Sequence, residues 1–232
     1  MDKIDIKSLT LEELEKYIKD MGEPAFRAGQ IFDWMHKKYV KSFDDMTNIS
    51  VNLRDRLKEE CEYTILNTVT VLTSKQDDTK KFLFELQDGN VIESVFMRYK
   101  HGVSVCISSQ VGCRMGCRFC ASTIDGLCRN LKASEMLDQI YSIMRYTGER
   151  VANVVVMGSG EPMDNFDNLT RFIELISAPK GYDISTRNIT VSTCGIVPKM
   201  KEFADRKYPV TLALSLHAVT DEKRKELMPI AN

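Results

Sequence analysis

An α/β fold is predicted for this chain: a parallel sheet that curls into a partial, TIM-like (β/α) barrel, preceded by a small helical domain and a β-hairpin extension. Three observations carry that expectation. After residue 100, strand-like and helix-like runs alternate, the mark of parallel strands joined by crossover helices. The run from Val151 to Met157 is almost wholly apolar, as in a strand covered on both faces. Finally, each such strand ends in glycine, cysteine, serine or histidine, at the end where barrels of this kind concentrate their chemistry. Four βα units are legible, so the barrel reads as truncated after about the fourth. The chain divides into a helical domain over residues 1–61, a β-rich connection over 62–101 and an incomplete barrel over 102–232.

The first sixty residues carry helical signals. Thr10 with Glu13 three positions later forms a capping box, Leu11, Leu14 and Ile18 follow at helical spacing, and Gly22 with Pro24 stops the helix. A second helix is expected from Ala25 to Tyr39, with Phe26, Ile31, Trp34 and Met35 on its buried side. A third runs from Ser50 to Cys61, anchored by Leu53 and Leu57. The period then changes to two, with strands at 68–72, 80–86 and 91–97 and Asp88-Gly89 as a hairpin turn. In the last of these, Val91, Glu93, Val95 and Met97 share one face. A carboxylate between apolar neighbours tends towards a raised pKa and is a candidate for proton exchange. The barrel elements follow as strand 103–108, helix 134–146, strand 151–157, helix 165–176, strand 188–193, helix 198–206 and strand 210–216.

Composition narrows the class. At 43% hydrophobic and 28% charged residues, the chain can build one sizeable core plus an appendage, and no apolar run is long enough to span a bilayer. The N-terminus has no apolar secretory stretch, and seven cysteines is an odd count, which argues against a disulfide framework and for a reducing, cytoplasmic setting. A net charge of −1 does not announce a nucleic-acid partner. Locally, however, Arg98, Lys100, Arg114, Arg118, Arg129 and Lys132 face only Asp125 between residues 98 and 132. That excess either balances thiolates or faces RNA.

Cys113, Cys117 and Cys120 stand at the spacing CxxxCxxC. A zinc site wants four tetrahedral ligands, and the remaining candidates, Cys106, His101 and His217, are not spaced like zinc partners. Three thiolates suit a [4Fe-4S] cluster with one iron left open, whereas electron-transfer clusters fill all four positions with cysteine. An open iron binds a substrate or cofactor. On the same rim lie Gly160 and Glu161, Ser192, and Ser215-Leu216-His217. The glycine lets backbone approach a ligand, and Glu161 can hold an ammonium group.

These strings together, with Cys106 to Cys113 (CISSQVGC), Cys117 to Thr123 (CRFCAST), Gly160-Glu161-Pro162, Ser192-Thr193 and Ser215 to Ala218 (SLHA), resemble the radical S-adenosylmethionine (radical SAM) superfamily. Within it they resemble the dual-specificity RNA adenine-C2 methyltransferases. The resemblance implies that Cys113, Cys117 and Cys120 hold a [4Fe-4S] cluster and that Gly160, Glu161, Ser192, Ser215, Leu216 and His217 bind S-adenosylmethionine. It implies substrates in 23S rRNA, at the peptidyl-transferase centre, and in the tRNA anticodon loop. It also implies an external electron donor such as a flavodoxin-type reductase; no membrane partner is expected, and the oligomeric state is open, with a monomer favoured.

In that family a cysteine near the C-terminus is methylated and its methyl carbon is then joined to the base through a radical. By resemblance Glu93 takes the C2 proton, while Cys106 attacks the methylcysteine sulfur and forms a disulfide as product leaves. Cys106 sits with Ser104 and Ser108 on the less apolar side of its strand, which agrees with that role. No cysteine follows Cys194, so the resemblance further implies an inactive fragment lacking the methylated residue. Two other readings remain: a Cfr-type adenine-C8 methyltransferase, which Pro162 and the string Ala121-Ser122-Thr123 disfavour, and a non-catalytic, metal-stabilised RNA-binding module.

Overall fold

The computed structural model describes residues 3–230. A short strand β1 (Ile4–Asp5) pairs in parallel with β2 (Cys61–Glu62), and the three helices α1 (Leu11–Asp20), α2 (Phe26–His36) and α3 (Val51–Glu60) lie between them. The Thr10–Glu13 capping box forms as predicted, with Glu13 N donating to Thr10 Oγ1 at 3.2 Å and Thr10 N to Glu13 Oε2 at 2.8 Å. Leu14, Ile18, Ile31, Met35, Leu53 and Leu57 are completely buried. Phe26 is not on that side: it is 60% exposed, because the helical turn places it opposite the buried stripe of Ala28, Ile31, Phe32 and Met35. Trp34 is half-buried, its Nε1–H donating to Asn48 and its ring lying 3.7 Å from the Lys38 ammonium.

Seven strands form one sheet. In chain order they are β3 (Asn67–Thr73), β4 (Lys80–Glu85), β5 (Val91–Tyr99) and β6 (Gly102–Ile107), then, after a two-stranded ribbon of β7 (Gln110–Gly112) and β8 (Leu127–Asn130), β9 (Val151–Val156), β10 (Ile189–Thr193) and β11 (Thr211–Leu214). The spatial order is β11-β10-β9-β6-β5-β4-β3. Strands β6, β9, β10 and β11 are parallel, and β5, β4 and β3 continue the sheet antiparallel. The hairpin extension therefore shares the barrel sheet.

Helices α4 (Ala133–Thr147), α5 (Phe166–Ile176) and α6 (Val197–Asp205) are the crossovers, and α7 (Asp221–Leu227) follows β11. On the helix-covered face Val105, Ile107, Val154, Val156, Ile189 and Val191 are fully buried or nearly so. The opposite face, carrying Cys106, Val155 and Ser192, is only half-buried, and Met157 is 46% exposed. The apolar run at 151–157 thus has one face covered and one opening to the lumen, rather than two covered faces.

One core cluster runs from Ile6 through α1–α3 to the helix face of the sheet. A charged network crosses it. Lys7 Nζ lies 2.8 Å from Asp138 Oδ1 with both side chains fully buried, and Asp138 also accepts from Leu66 N at 2.9 Å and Arg145 at 3.0 Å. Burial pushes the Lys7 ammonium down, while Lys7 and Arg145 hold the Asp138 carboxyl low although burial works the other way. Removing one member of a buried pair leaves an uncompensated charge. Lys7→Met is therefore expected to cost about 3 kcal/mol, read as a lowered denaturant midpoint with unchanged slope.

Candidate functional site

The strand ends are drawn together by two glycines and a buried glutamine. A Cβ on Gly158 would lie 2.7 Å from Ser108 Oγ, and one on Gly160, whose φ is +103°, would lie 2.5 Å from Gln110 Cβ, so side chains are excluded at both positions. Gln110 is fully buried. Its Oε1 accepts from Glu161 N at 2.8 Å, and its Nε2 donates to Asn130 at 2.8 Å and Asp164 at 2.9 Å. Asp164 in turn receives the Arg114 guanidinium through Nε at 2.9 Å and through Nη2. The loop of three cysteines is thereby tied to the loop after β9. The β7–β8 ribbon, absent from the sequence reading, brackets the cysteine loop on either side.

Cys113, Cys117 and Cys120 line a cavity of about 270 Å³ at the C-terminal end of the parallel strands. Gly160, Glu161, Ser192, Ser215 and His217 line the same cavity. Cys113 and Cys117 are buried and Cys120 half-buried, and burial pushes the thiols of Cys113 and Cys117 up. Three such thiols on one wall need a cation to hold them as thiolates. Three cysteines at CxxxCxxC spacing on one cavity wall form a donor set that fits a [4Fe-4S] cluster with one iron left open.

Glu161 is 4% exposed. Its Oε1 accepts from Met163 N at 3.0 Å and its Oε2 from Cys194 N at 2.7 Å, so the carboxylate already spans two loops. Ser192 and Ser215 place their hydroxyls 3.2 Å apart across β10 and β11. His217 holds a φ of +55°, uncommon for a non-glycine residue, and its ring centroid lies 4.4 Å from that of Phe119 in the cysteine loop. The Leu216 side chain lines a separate cleft with Val197 and Met200 and does not face the cavity. Cys194, Met115 and Met228, which the sequence reading left aside, complete the packing around Cys113 and Cys117.

Cys106 and Glu93 share the lumen face of β6 and β5, where Cys106 is directly opposite Val95 and Glu93 lies two residues before it. Glu93 is not simply flanked by apolar side chains: Lys81 on β4 reaches it at 2.7 Å, and its side chain is 43% exposed. The period-two pattern placed it on the right face but could not name that neighbour. All seven cysteines are free, so the chain contains no disulfide. Nor is the cationic run between 98 and 132 a bare patch. Arg98 pairs with Asp78 and Glu149, Arg114 with Asp164, Arg129 with Asp88 and Glu135, and Lys132 with Glu62. Among the described residues, no helix is long and apolar enough to cross a membrane.

An open (β/α) barrel with three cysteines after its first parallel strand, and glycine, carboxylate and serine groups on the same rim, defines a radical SAM domain. The profile of the Radical SAM superfamily matches residues 107–232, and that of the ribosomal RNA large subunit methyltransferase (RlmN) N-terminal domain matches residues 4–63. A probable dual-specificity RNA methyltransferase RlmN of Lachnospira eligens is 64% identical over 228 residues, covering 98% of this chain and 65% of that protein. The like-named protein of Lachnoclostridium phytofermentans is 60% identical over 231 residues, covering 100% and 65%. A crystal structure of a radical SAM methyltransferase from Sphaerobacter thermophilus superimposes with a TM-score of 0.92 at 38% identity, covering 98% of this chain and 67% of that one.

The chain belongs to the RlmN family of radical SAM proteins, a family that uses a [4Fe-4S] cluster and S-adenosylmethionine. It spans about two thirds of the length of the curated relatives it matches.

The surroundings of Cys106 make a measurable statement. Burial pushes its thiol up from the ordinary value of 9.0, the Glu93 charge adds to that, and the Met157 N–H opposes it. Since the thiolate is the reacting form, alkylation of Cys106 by iodoacetamide is expected to be slow at neutral pH and to accelerate only above pH 9. In Glu93→Gln the rise shifts to lower pH, because one source of the upward push is gone. Site-resolved mass spectrometry across a pH series checks both statements.

Proposed function

We propose that this chain is the cofactor-binding part of a radical SAM RNA methyltransferase that modifies C2 of adenine in 23S rRNA and tRNA. The observation that carries the reading is the convergence of three thiols, a glycine–glutamate turn, two serine hydroxyls and a histidine on one cavity at the strand ends. Cys113, Cys117 and Cys120 hold the cluster, and Gly160, Glu161, Ser192, Ser215, the Leu216 backbone and His217 surround S-adenosylmethionine. With both bound, the site supplies a 5′-deoxyadenosyl radical, and the protein's part is to orient it and exclude water.

Glu93 and Cys106, side by side on the lumen face, are suited to the two later tasks of taking a proton and displacing a sulfur substituent. The Lys81 ammonium, 2.7 Å from Glu93 Oε2, donates to the carboxylate and orients it on the lumen face. The disulfide that such a displacement forms requires a second cysteine close to Cys106, and the seven cysteines of this chain do not pair with it. The segments 1–61, 62–101 and 102–232 are proposed as RNA-holding domain, connection and radical domain. A reductase of the flavodoxin type as electron donor, a cytoplasmic location and a monomeric state complete the proposal.

Anaerobic reconstitution of the 232-residue polypeptide tests it. Iron and sulfide in equal amounts are expected, with little zinc, and S-adenosylmethionine should perturb the electron paramagnetic resonance (EPR) signal of the reduced cluster. Cys117→Ala should lose the cluster. Zinc in place of iron and sulfide would favour the metal-stabilised binding module. None of the seven cysteines of the 232-residue polypeptide is assigned the methyl-carrying role in this reading, so this polypeptide alone is expected to release no C2-methyladenosine. Nucleoside mass spectrometry of 23S rRNA and tRNA after incubation decides that, and a C8-methyl product would move the assignment to the Cfr-type reaction.

A further inference from the structure

The segment after β11 returns to the cysteine loop. From α7, the Arg224 guanidinium donates to the carbonyl oxygens of Ser215 at 2.9 Å, Leu216 at 2.6 Å and Cys194, and lies 3.5 Å from Met228 Sδ. One side chain thus gathers the backbone just past β10, the strand that bears Ser192, and just past β11, where Ser215 stands. At the end of the helix, Arg118 N in the cysteine loop donates to Leu227 O at 2.9 Å, and Met228, 1% exposed, packs into the nest of Cys113, Met115 and Cys117. No carboxylate partners Arg224 among the ion pairs of the described residues, so its charge is directed at backbone carbonyls.

We propose that Arg224 is a positioning residue for S-adenosylmethionine. By cross-bonding the carbonyls of residues 194, 215 and 216, it holds the loops after β10 and β11 in a single register, so that the Ser192 and Ser215 hydroxyls and the left-handed backbone at His217 face the cavity. Through α7 the same anchor presses Met228 onto the thiols and closes that wall of the cavity. A planar guanidinium spreads its five donors in a fixed fork that reaches carbonyls on two separate loops, whereas the three donors of an ammonium all leave one nitrogen. The role rests on the reading of the cavity as a cluster and S-adenosylmethionine site.

The test uses the reconstituted protein and its Arg224→Gln and Arg224→Lys variants. In Arg224→Gln, iron and sulfide content should stay at the wild-type level while the S-adenosylmethionine Kd, from equilibrium dialysis, rises at least about tenfold, the loss of one to two charged hydrogen bonds. The cofactor-induced change in the EPR spectrum of the reduced cluster should be lost at concentrations that saturate the wild type. Arg224→Lys should fall between the two, because it restores charge without the fork. Unchanged affinity and an unchanged spectrum in both variants would overturn the proposal. So would a loss of affinity that only follows a matching loss of cluster and of thermal stability in both variants, which marks a merely structural residue. If the wild-type protein itself takes up no cluster, or shows no response to S-adenosylmethionine, the underlying reading of the cavity fails instead.

Discussion

The buried carboxylate of Glu161 is the tie on which the rim depends. It accepts backbone amides from its own loop and from the loop after β10, while its own amide is held by Gln110 from the loop after β6. Three consecutive parallel strands, β6, β9 and β10, are thereby locked at their C-terminal ends through one turn. Glycine at 158 and 160 is the steric condition for this, since any Cβ would collide with Ser108 or Gln110. With both oxygens accepting backbone amides, the carboxylate is held in one place at the edge of the cavity.

The cysteine loop inherits its order from that tie. Arg114, inside the loop, is clamped by Asp164, and Asp164 also receives Gln110, so the cluster wall and the glycine–glutamate turn share one hydrogen-bonded frame. On the far side, the Leu227 carbonyl and the Met228 side chain hold the loop from α7. Strand geometry aims Ser192, but the thiols and Ser215 lie on loops, and polar cross-bonds between loops fix them.

Much of this was legible in the residues because it is local. The capping box at Thr10, the helical periods, the βα alternation and the CxxxCxxC spacing each state their structure within a dozen residues. What escaped the sequence depends on partners far along the chain. Phe26 is apolar but stands opposite the stripe of Ala28, Ile31, Phe32 and Met35 that α2 buries. Glu93 looked isolated among apolar residues until β4 brought Lys81 alongside. Of the cations between 98 and 132, Arg98, Arg114, Arg129 and Lys132 looked like part of a patch until Asp78, Asp88, Glu62, Glu135, Glu149 and Asp164 came to meet them. Gln110 lies inside the string that carries the resemblance and Arg224 in none, yet the role of neither was legible, because their partners lie far along the chain or are backbone.

The two faces of the sheet divide the requirements of stability and chemistry. The helix-covered face is lined by β-branched residues at or near zero exposure and joins the N-terminal helices in one continuous core, crossed by the Lys7–Asp138–Arg145 network. The lumen face carries serine, cysteine, glutamate and threonine at positions that gain little from burial. Substitutions on that face are then expected to change chemistry more than stability, because few apolar contacts are lost there. That separation lets Cys106 and Glu93 sit at mid-strand, on rigid elements, while remaining open to a ligand. Loops alone could not hold two groups on adjacent strands at fixed spacing. The sheet does so through its ladder of backbone hydrogen bonds, and it needs nothing from the lumen side chains to keep it.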